Sequence, residues 1–136
     1  MNDVKEELSL FMFDVFRSFR IDIRKRFEDY LPINEFTVLR VLKEQGKKKV
    51  SHVATELQVS SSHITAASEK LIDKGLATRS RCDTDRRVVF LEVTEAGALL
   101  VEKMEALKRD YVKEKFSVLT DEELNMMLLA YRKLKG

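Results

Sequence analysis

A mainly α-helical chain with one small β-hairpin is the fold class this sequence predicts, and three observations carry the prediction. Apolar residues recur at spacings of three and four over most of the chain, while punctuation is scarce: four Gly and one Pro in 136 residues. So few breakers imply long helices and few loops. Between Lys47 and Thr94 the texture changes. Two short helical patterns, marked by Val53, Ala54 and Leu57 and then by Ile64, Ala67 and Leu71, are split by the polar break Gln58-Val59-Ser60. Gly75 stops the second pattern, and two extended runs follow, 76–81 and 87–93, joined by the charged turn Cys82-Asp83-Thr84-Asp85-Arg86. Helix, turn, helix and a hairpin tipped with arginine is the pattern of a winged helix-turn-helix, with N- and C-terminal helices left over as candidate dimerisation elements.

The elements follow in order. Over residues 4–30, Leu8, Phe11, Met12, Val15, Phe16, Phe19, Ile23 and Phe27 form an apolar stripe, with Phe13 and Ile21 outside it. So wide a stripe exceeds what one packing contact needs and points to a second partner. Arg17, Arg20, Arg24, Lys25 and Arg26 read as its solvated face. Leu31-Pro32-Ile33-Asn34 breaks this helix, and Pro32 suits the first turn of the next, where a missing N–H costs nothing. That helix, 33–45, turns Phe36, Val38, Leu39, Val41 and Leu42 inward and ends at Gly46. Lys47, Lys48 and Lys49 make a basic approach to the helix-turn-helix.

Ser51 is placed to cap the next helix, which ends near Leu57. Ser60 or Ser61 caps the following one, 61–74, whose inner face is Ile64, Ala67, Leu71 and Ile72. In the second extended run Val89, Leu91 and Val93 face one way and Val88, Phe90 and Glu92 the other. Thr94 caps a helix over 95–117 with the stripe Leu99, Leu100, Met104, Leu107 and Tyr111. Thr120 to Glu123 reads as a capping box, and the last helix, 121–135, turns Leu124, Met127, Leu128, Tyr131 and Leu134 inward.

A chain of this length fits one domain over 1–136. Within it, 33–94 is the winged-helix lobe, and 1–31 and 95–136 are the flanking helices. A monomer has too little core to bury the stripes of both ends, so a homodimer with two heads about a two-fold axis is expected.

Charge points to the same segment. From Lys47 to Arg87 there are nine Lys and Arg against five Asp and Glu, a net +4 in a chain whose total is +2. That is the footprint nucleic acid requires. On the helix 61–74, Ser61, Ser62, His63, Thr65 and Ala66 lie on the exposed N-terminal half, the half that meets base edges in the major groove, and Lys70 suits a phosphate. His63 reads equally as a solvated helix residue. In the hairpin, Arg79, Arg81, Arg86 and Arg87 suit a narrow minor groove, and a carboxylate beside them, Asp83 or Asp85, can hold a guanidinium in orientation. Lys48, Lys49 and Ser51 complete the expected phosphate-facing set.

Other classes find little. One Cys excludes an internal disulfide, and His52 and His63 show no metal spacing. No Gly-rich phosphate loop is present, and the acid pairs Glu6-Glu7 and Glu122-Glu123 sit at helix starts, where they favour the helix dipole. No enzyme, cofactor or metal is expected. The acidic start lacks a signal-peptide pattern, and no apolar run approaches the ~20 residues a bilayer span needs, so a cytoplasmic chain without membrane contact is expected.

The segments 31–39, 59–76 and above all Asp85-Arg86-Arg87-Val88-Val89-Phe90-Leu91-Glu92-Val93-Thr94-Glu95-Ala96-Gly97 resemble the MarR (multiple antibiotic resistance regulator) family of bacterial transcription factors, in order along nearly the whole chain. The resemblance implies a homodimer joined by the first and last two helices, entry of Arg87 into the minor groove with Asp85 orienting it, and repression by promoter occlusion. It also implies release by a small aromatic or phenolic effector, for which Phe11, Phe16, Tyr30 and Phe36 are the candidate lining, although Phe at helical spacing also reads as core. The family often has Arg where Ala66 stands and a capping Thr where Pro32 stands. Its peroxide-sensing branch keeps a reactive Cys in the first helix; here the single Cys82 lies in the wing. Arg81 and Arg86 beside it lower a thiol pKa and Asp83 opposes them, which leaves a thiol redox sensor as an alternative reading. A winged-helix protein-interaction module that lacks specific DNA binding is the other.

Overall fold

The computed structural model describes residues 3–136. Six helices and three short strands follow in order: α1 Val4–Phe27, α2 Ile33–Gln45, β1 Lys48–Lys49, α3 Val50–Leu57, α4 Ser61–Asp73, β2 Ala77–Arg81, β3 Val89–Val93, α5 Glu95–Phe116 and α6 Asp121–Lys135. The fold class read from the sequence holds, with one addition. The sheet has three antiparallel strands in the order β1-β3-β2, because Lys48 pairs with Leu91 and Lys49 with Phe90. Two residues of strand are too short to show a period, so Lys48 and Lys49 read as an approach segment rather than an edge.

That edge corrects one cap. Pairing with β3 holds the backbone extended as far as Lys49, so α3 starts at Val50 and Lys49 is its N-cap residue, with no side-chain cap. Ser51 falls inside the first turn, where its carbonyl accepts from the Thr55 hydroxyl at 3.0 Å. Of the two serines open at α4, Ser60 is the cap and accepts from His63 N–H, and Thr94 accepts from Gly97 N–H as expected. Asp3, not expected as a cap, accepts from Lys5 N–H at the start of α1. Thr120 and Glu123 close a reciprocal capping box.

The core gathers around α2. Val38, Leu39, Leu42, Val53, Ile64, Leu71 and Leu91 are fully buried, and Phe27 tilts against Phe36 with ring centroids 4.8 Å apart. Each such side chain contributes roughly 1.5–3 kcal/mol on burial. The apolar inner faces expected for α2 and α4 are observed, with Ile72 only partly buried, and two polar residues, Glu35 and Ser68, are buried beside them. α5 differs: Gly97, Val101, Met104 and Tyr111 face inward, Leu100 and Leu107 flank them, and Leu99 is exposed. Gly97 brings α5 close against the Leu76 carbonyl, just before β2, and the Val93 side chain of β3.

α6 departs furthest from expectation. It buries none of its residues in a single chain: Leu124 and Met127 are half-buried, and Leu128, Tyr131 and Leu134 are exposed. The N-terminal half of α1 is in the same condition, with Leu8, Phe11, Met12, Val15 and Phe16 all exposed. These two apolar faces flank an open groove of roughly 620 Å³ instead of closing on each other.

The C-terminal half of α1 packs on α5, and its last residue, Phe27, on α2. Phe19 meets Tyr111 edge-on at 5.5 Å, the Arg26 guanidinium lies 4.6 Å from the Tyr111 ring centre, and the Tyr111 hydroxyl donates to Asp22. Burial first, and then the Asp22 carboxylate, push the Tyr111 pKa up to about 12 from its ordinary 10. The neutral phenol is thus favoured by folding, and its contribution is present below pH 10 and lost as pH rises through 12. Tyr111→Phe is expected to be less stable than the parent near pH 9, with the gap narrowing from pH 10 to 12. Paired thermal melts across that window check it, and a gap independent of pH would remove the Asp22 bond from the account.

Candidate nucleic-acid interface

The second helix of the helix-turn-helix is presented by its own buried side. With Ile64, Ala67 and Leu71 inward, the 3.6-residue period leaves Ser61, Ser62, His63, Thr65, Ala66, Glu69 and Lys70 exposed on the outer side. Small residues at Ser61, Thr65 and Ala66 keep that face low, so the backbone can approach a flat or grooved partner. The turn before it needs a left-handed residue, and Gln58 supplies one at φ 57°. The break read at Gln58-Val59-Ser60 is this turn, made with glutamine and not glycine in the left-handed position.

The hairpin is aimed by register. β2 and β3 pair from Ala77–Val93 to Arg81–Val89, so Arg79 and Arg81 project from β2 beside α4. Lys49, Ser51, His52, Ser61, Thr65, Glu69, Arg79, Arg81 and Arg87 all line one concavity of roughly 590 Å³ between α3, α4 and the hairpin. Ser62, His63, Ala66 and Lys70 remain on the outer side of α4, and Lys48 sits half-buried on β1. Lys47 lies 5.2 Å over the Phe90 ring, which holds it at the sheet edge.

At the hairpin tip the local chemistry is specific. Asp85 accepts from the Arg87 backbone N–H at 3.0 Å and receives both Nε at 3.1 Å and Nη2 at 3.2 Å from the guanidinium. This two-pronged bond lowers the Asp85 pKa. The Arg87 side chain is 92% exposed, so the pair holds a fixed guanidinium out in solvent. Arg81 Nη1 donates to the Arg86 carbonyl at 2.8 Å, which closes the turn from the opposite strand.

Cys82 is half-buried beside that turn, with its thiol 3.2 Å from the Thr84 hydroxyl. Its pKa is lowered chiefly by the Thr84 side chain, then by the backbone N–H groups of Thr84 and Asp85, with burial and the Asp85 charge opposing. The expected causes, Arg81 and Arg86 against Asp83, are replaced by hydrogen bonds within the turn.

The proposed aromatic lining does not come together in this chain. Phe11 and Phe16 belong to the α1–α6 groove. Phe36 is buried against Phe27, and Tyr30 packs at the core edge under Lys103, whose Nζ lies 4.9 Å from its ring centre. Helical spacing put these residues in one class; tertiary packing divides them between core and open groove.

Similarity to known proteins decides the family. The sequence model of the MarR family matches residues 31–89. The chain is 40% identical over 120 residues to the uncharacterized HTH-type transcriptional regulator YpoP of Bacillus subtilis strain 168, covering 88% of this chain and 85% of YpoP. This chain belongs to the MarR family. The crystal structure of YusO from Bacillus subtilis superposes with a TM-score of 0.84 at 25% identity, over 98% of both chains. FabT of Streptococcus pneumoniae, solved in complex with DNA, shares the fold at 21% identity with a TM-score of 0.79, over 96% of this chain and 94% of that one. This MarR chain is a DNA-binding transcription regulator. No helix among its described residues is long and apolar enough to cross a membrane.

Two features of the MarR head were missed in the sequence. Glu35, in the first turn of α2, is 2% exposed and accepts from Lys74 Nζ at 2.7 Å. Glu69 on α4 lies 4.0 Å from Arg79 on β2 and links the helix to the hairpin across the concavity. A signal for the first was available: Glu35 falls next to Phe36 on the inward face of α2, where a charge needs a partner. Nothing local named Lys74, thirty-nine positions away.

Proposed function

We propose that this chain is a homodimeric repressor that reads a palindromic duplex operator and blocks a promoter. In this reading α4 enters the major groove, with Ser61, Ser62, His63, Thr65 and Ala66 toward base edges and Lys70 toward the backbone. The hairpin follows the adjacent minor groove with Arg87 inserted, while Arg79, Arg81, Arg86, Lys48, Lys49 and Ser51 meet phosphates. The observation that carries it is the convergence of α3, α4 and the hairpin on one basic concavity, with Arg87 already held by Asp85. An oriented guanidinium loses less freedom on insertion than a free one.

The dimer rests on a different observation. α1 and α6 leave Phe11, Phe16, Leu128, Tyr131 and Leu134 exposed in one chain, and a second copy supplies the missing cover. Two-fold symmetry then sets the half-sites about one helical turn apart, ~34–36 Å.

The test is binding to DNA upstream of the chain's own gene at several salt concentrations. Log affinity is expected to fall linearly with log salt, by about 0.9 for each phosphate neutralised. Lys49→Ala should flatten that slope by about 1 while leaving the preferred sequence unchanged. A footprint with no dyad would count against symmetric docking. Binding without salt dependence would favour a protein-interaction module instead.

A further inference from the structure

The C-terminal end of α4 is held from both sides. Lys74, the residue that caps it, donates to Glu35 Oε1 at 2.7 Å and so ties it to the first turn of α2. One residue further on, the Thr94 hydroxyl donates to the Gly75 carbonyl at 2.8 Å, and the Thr94 backbone N–H donates to the Leu76 carbonyl at 3.0 Å. The same Leu76 carbonyl lies where a Cβ on Gly97 would be, so α5 presses directly on it. The turn itself is stiff: Leu76 N–H bonds back to the Leu71 carbonyl and Gly75 N–H to that of Ile72, a complete Schellman motif with Gly75 at φ +74°. Residues 74–76 thus join α4 to α2 on one side and to α5 on the other.

Of these ties, the ion pair is the one that stability does not explain. A buried carboxylate facing a single ammonium is a weak stabiliser, and apolar residues of similar volume commonly do as well or better. What an apolar contact lacks is direction. The Lys74–Glu35 bond sets one distance between the start of α2 and the end of α4, where Leu71, Phe36 and Leu39 alone would allow sliding. The thirteen residues of α4 span about 20 Å, so a small tilt about the Lys74 end becomes a displacement at Ser61, Ser62 and Thr65. Hydrogen bonds to base edges tolerate only ~0.5 Å of such error.

We propose that Glu35, acting through Lys74, is a positioning residue for base discrimination: the pair sets the tilt of α4 against α2 and so places the reading residues at its far end. The proposal rests on α4 being the helix that reads DNA. It makes Glu35 matter for which sequence is bound and not for how strongly phosphates are held, since neither Glu35 nor Lys74 lines the basic concavity.

The test uses a duplex selected from a random library by the parent protein and a mixed-sequence duplex of equal length. The parent, the apolar pair Glu35→Leu with Lys74→Met, and the near-isosteric Glu35→Gln are compared for thermal midpoint, salt slope and the affinity ratio between the two duplexes. The apolar pair is expected to melt at or above the parent and keep the salt slope on mixed DNA. It should lose about tenfold or more of its preference for the selected duplex, the size of a single base mismatch. Glu35→Gln should lose a smaller part of that preference. An undiminished ratio in the folded apolar pair, or in Glu35→Gln should the pair fail to fold, overturns the proposal and leaves DNA reading by α4 standing. A parent protein that enriches no sequence overturns that underlying reading, and the proposal with it.

Discussion

Gly97→Ala is expected to destabilise this chain by about 3 kcal/mol, the upper end of what overpacking a tight contact costs. An added Cβ would lie 2.1 Å from the Leu76 carbonyl oxygen and 2.8 Å from Val93 Cγ2. The first of these is backbone, held by the Thr94 N–H and by the turn that ends α4, so it cannot swing aside as a side chain would. Relief requires α5 to move away from the hairpin and to lose the Thr94 cap. Gly75→Ala is the control. Its Cβ meets nothing, so only the left-handed φ of +74° resists it, at about 1–2 kcal/mol. Urea titrations of both variants measure the difference. A Gly97→Ala variant no worse than Gly75→Ala would show that α5 does not press on the hairpin in solution.

The second large effect concerns binding. Arg87→Ala is expected to cost about 1–3 kcal/mol of affinity for operator DNA with no loss of fold. The side chain is 92% exposed and bonds to Asp85 in its own turn, so the core does not depend on it. The loss should combine a missing charge and a missing shape contact, and so should be larger on the operator than on mixed DNA. Asp85→Ala is expected to weaken binding less, because the guanidinium remains but must be ordered on arrival. Equal affinity of parent and Arg87→Ala, at matched salt, would remove the wing from the DNA contact.

Much of this molecule was legible from local pattern. The caps at Thr94 and Thr120 formed as read, and the one left open between Ser60 and Ser61 fell to Ser60, because a hydroxyl and an N–H three residues on are brought together by helix geometry alone. Local pattern showed that a carboxylate of the hairpin turn could pair with an arginine, but left Asp83 and Asp85 both open; the Asp85–Arg87 pairing came from the family resemblance, and the structure shows it. Ser51 failed as a cap because strand pairing to Leu91 and Phe90, some forty residues away, decided where α3 could begin. The stripe of α5 was rotated, and Leu99 left outside, because the angle at which a helix docks belongs to the surface that receives it.

The same division runs through the functional head. The sequence by itself determined the order of elements, the small hydroxyl-rich outer face of α4, the basic charge of residues 47–87 and the cluster of arginines and carboxylates at the hairpin tip. These depend on periods of two and 3.6 residues and on neighbours in one turn. Only the tertiary structure decided that Ser61, Thr65, Arg79, Arg81 and Arg87 share one concavity, that Phe36 belongs to the core while Phe11 and Phe16 face an open groove, and that Lys74 finds Glu35. Each of those joins residues far apart along the chain. Their meeting is set by how helices and strands close on a shared core, a choice that no local run of residues contains.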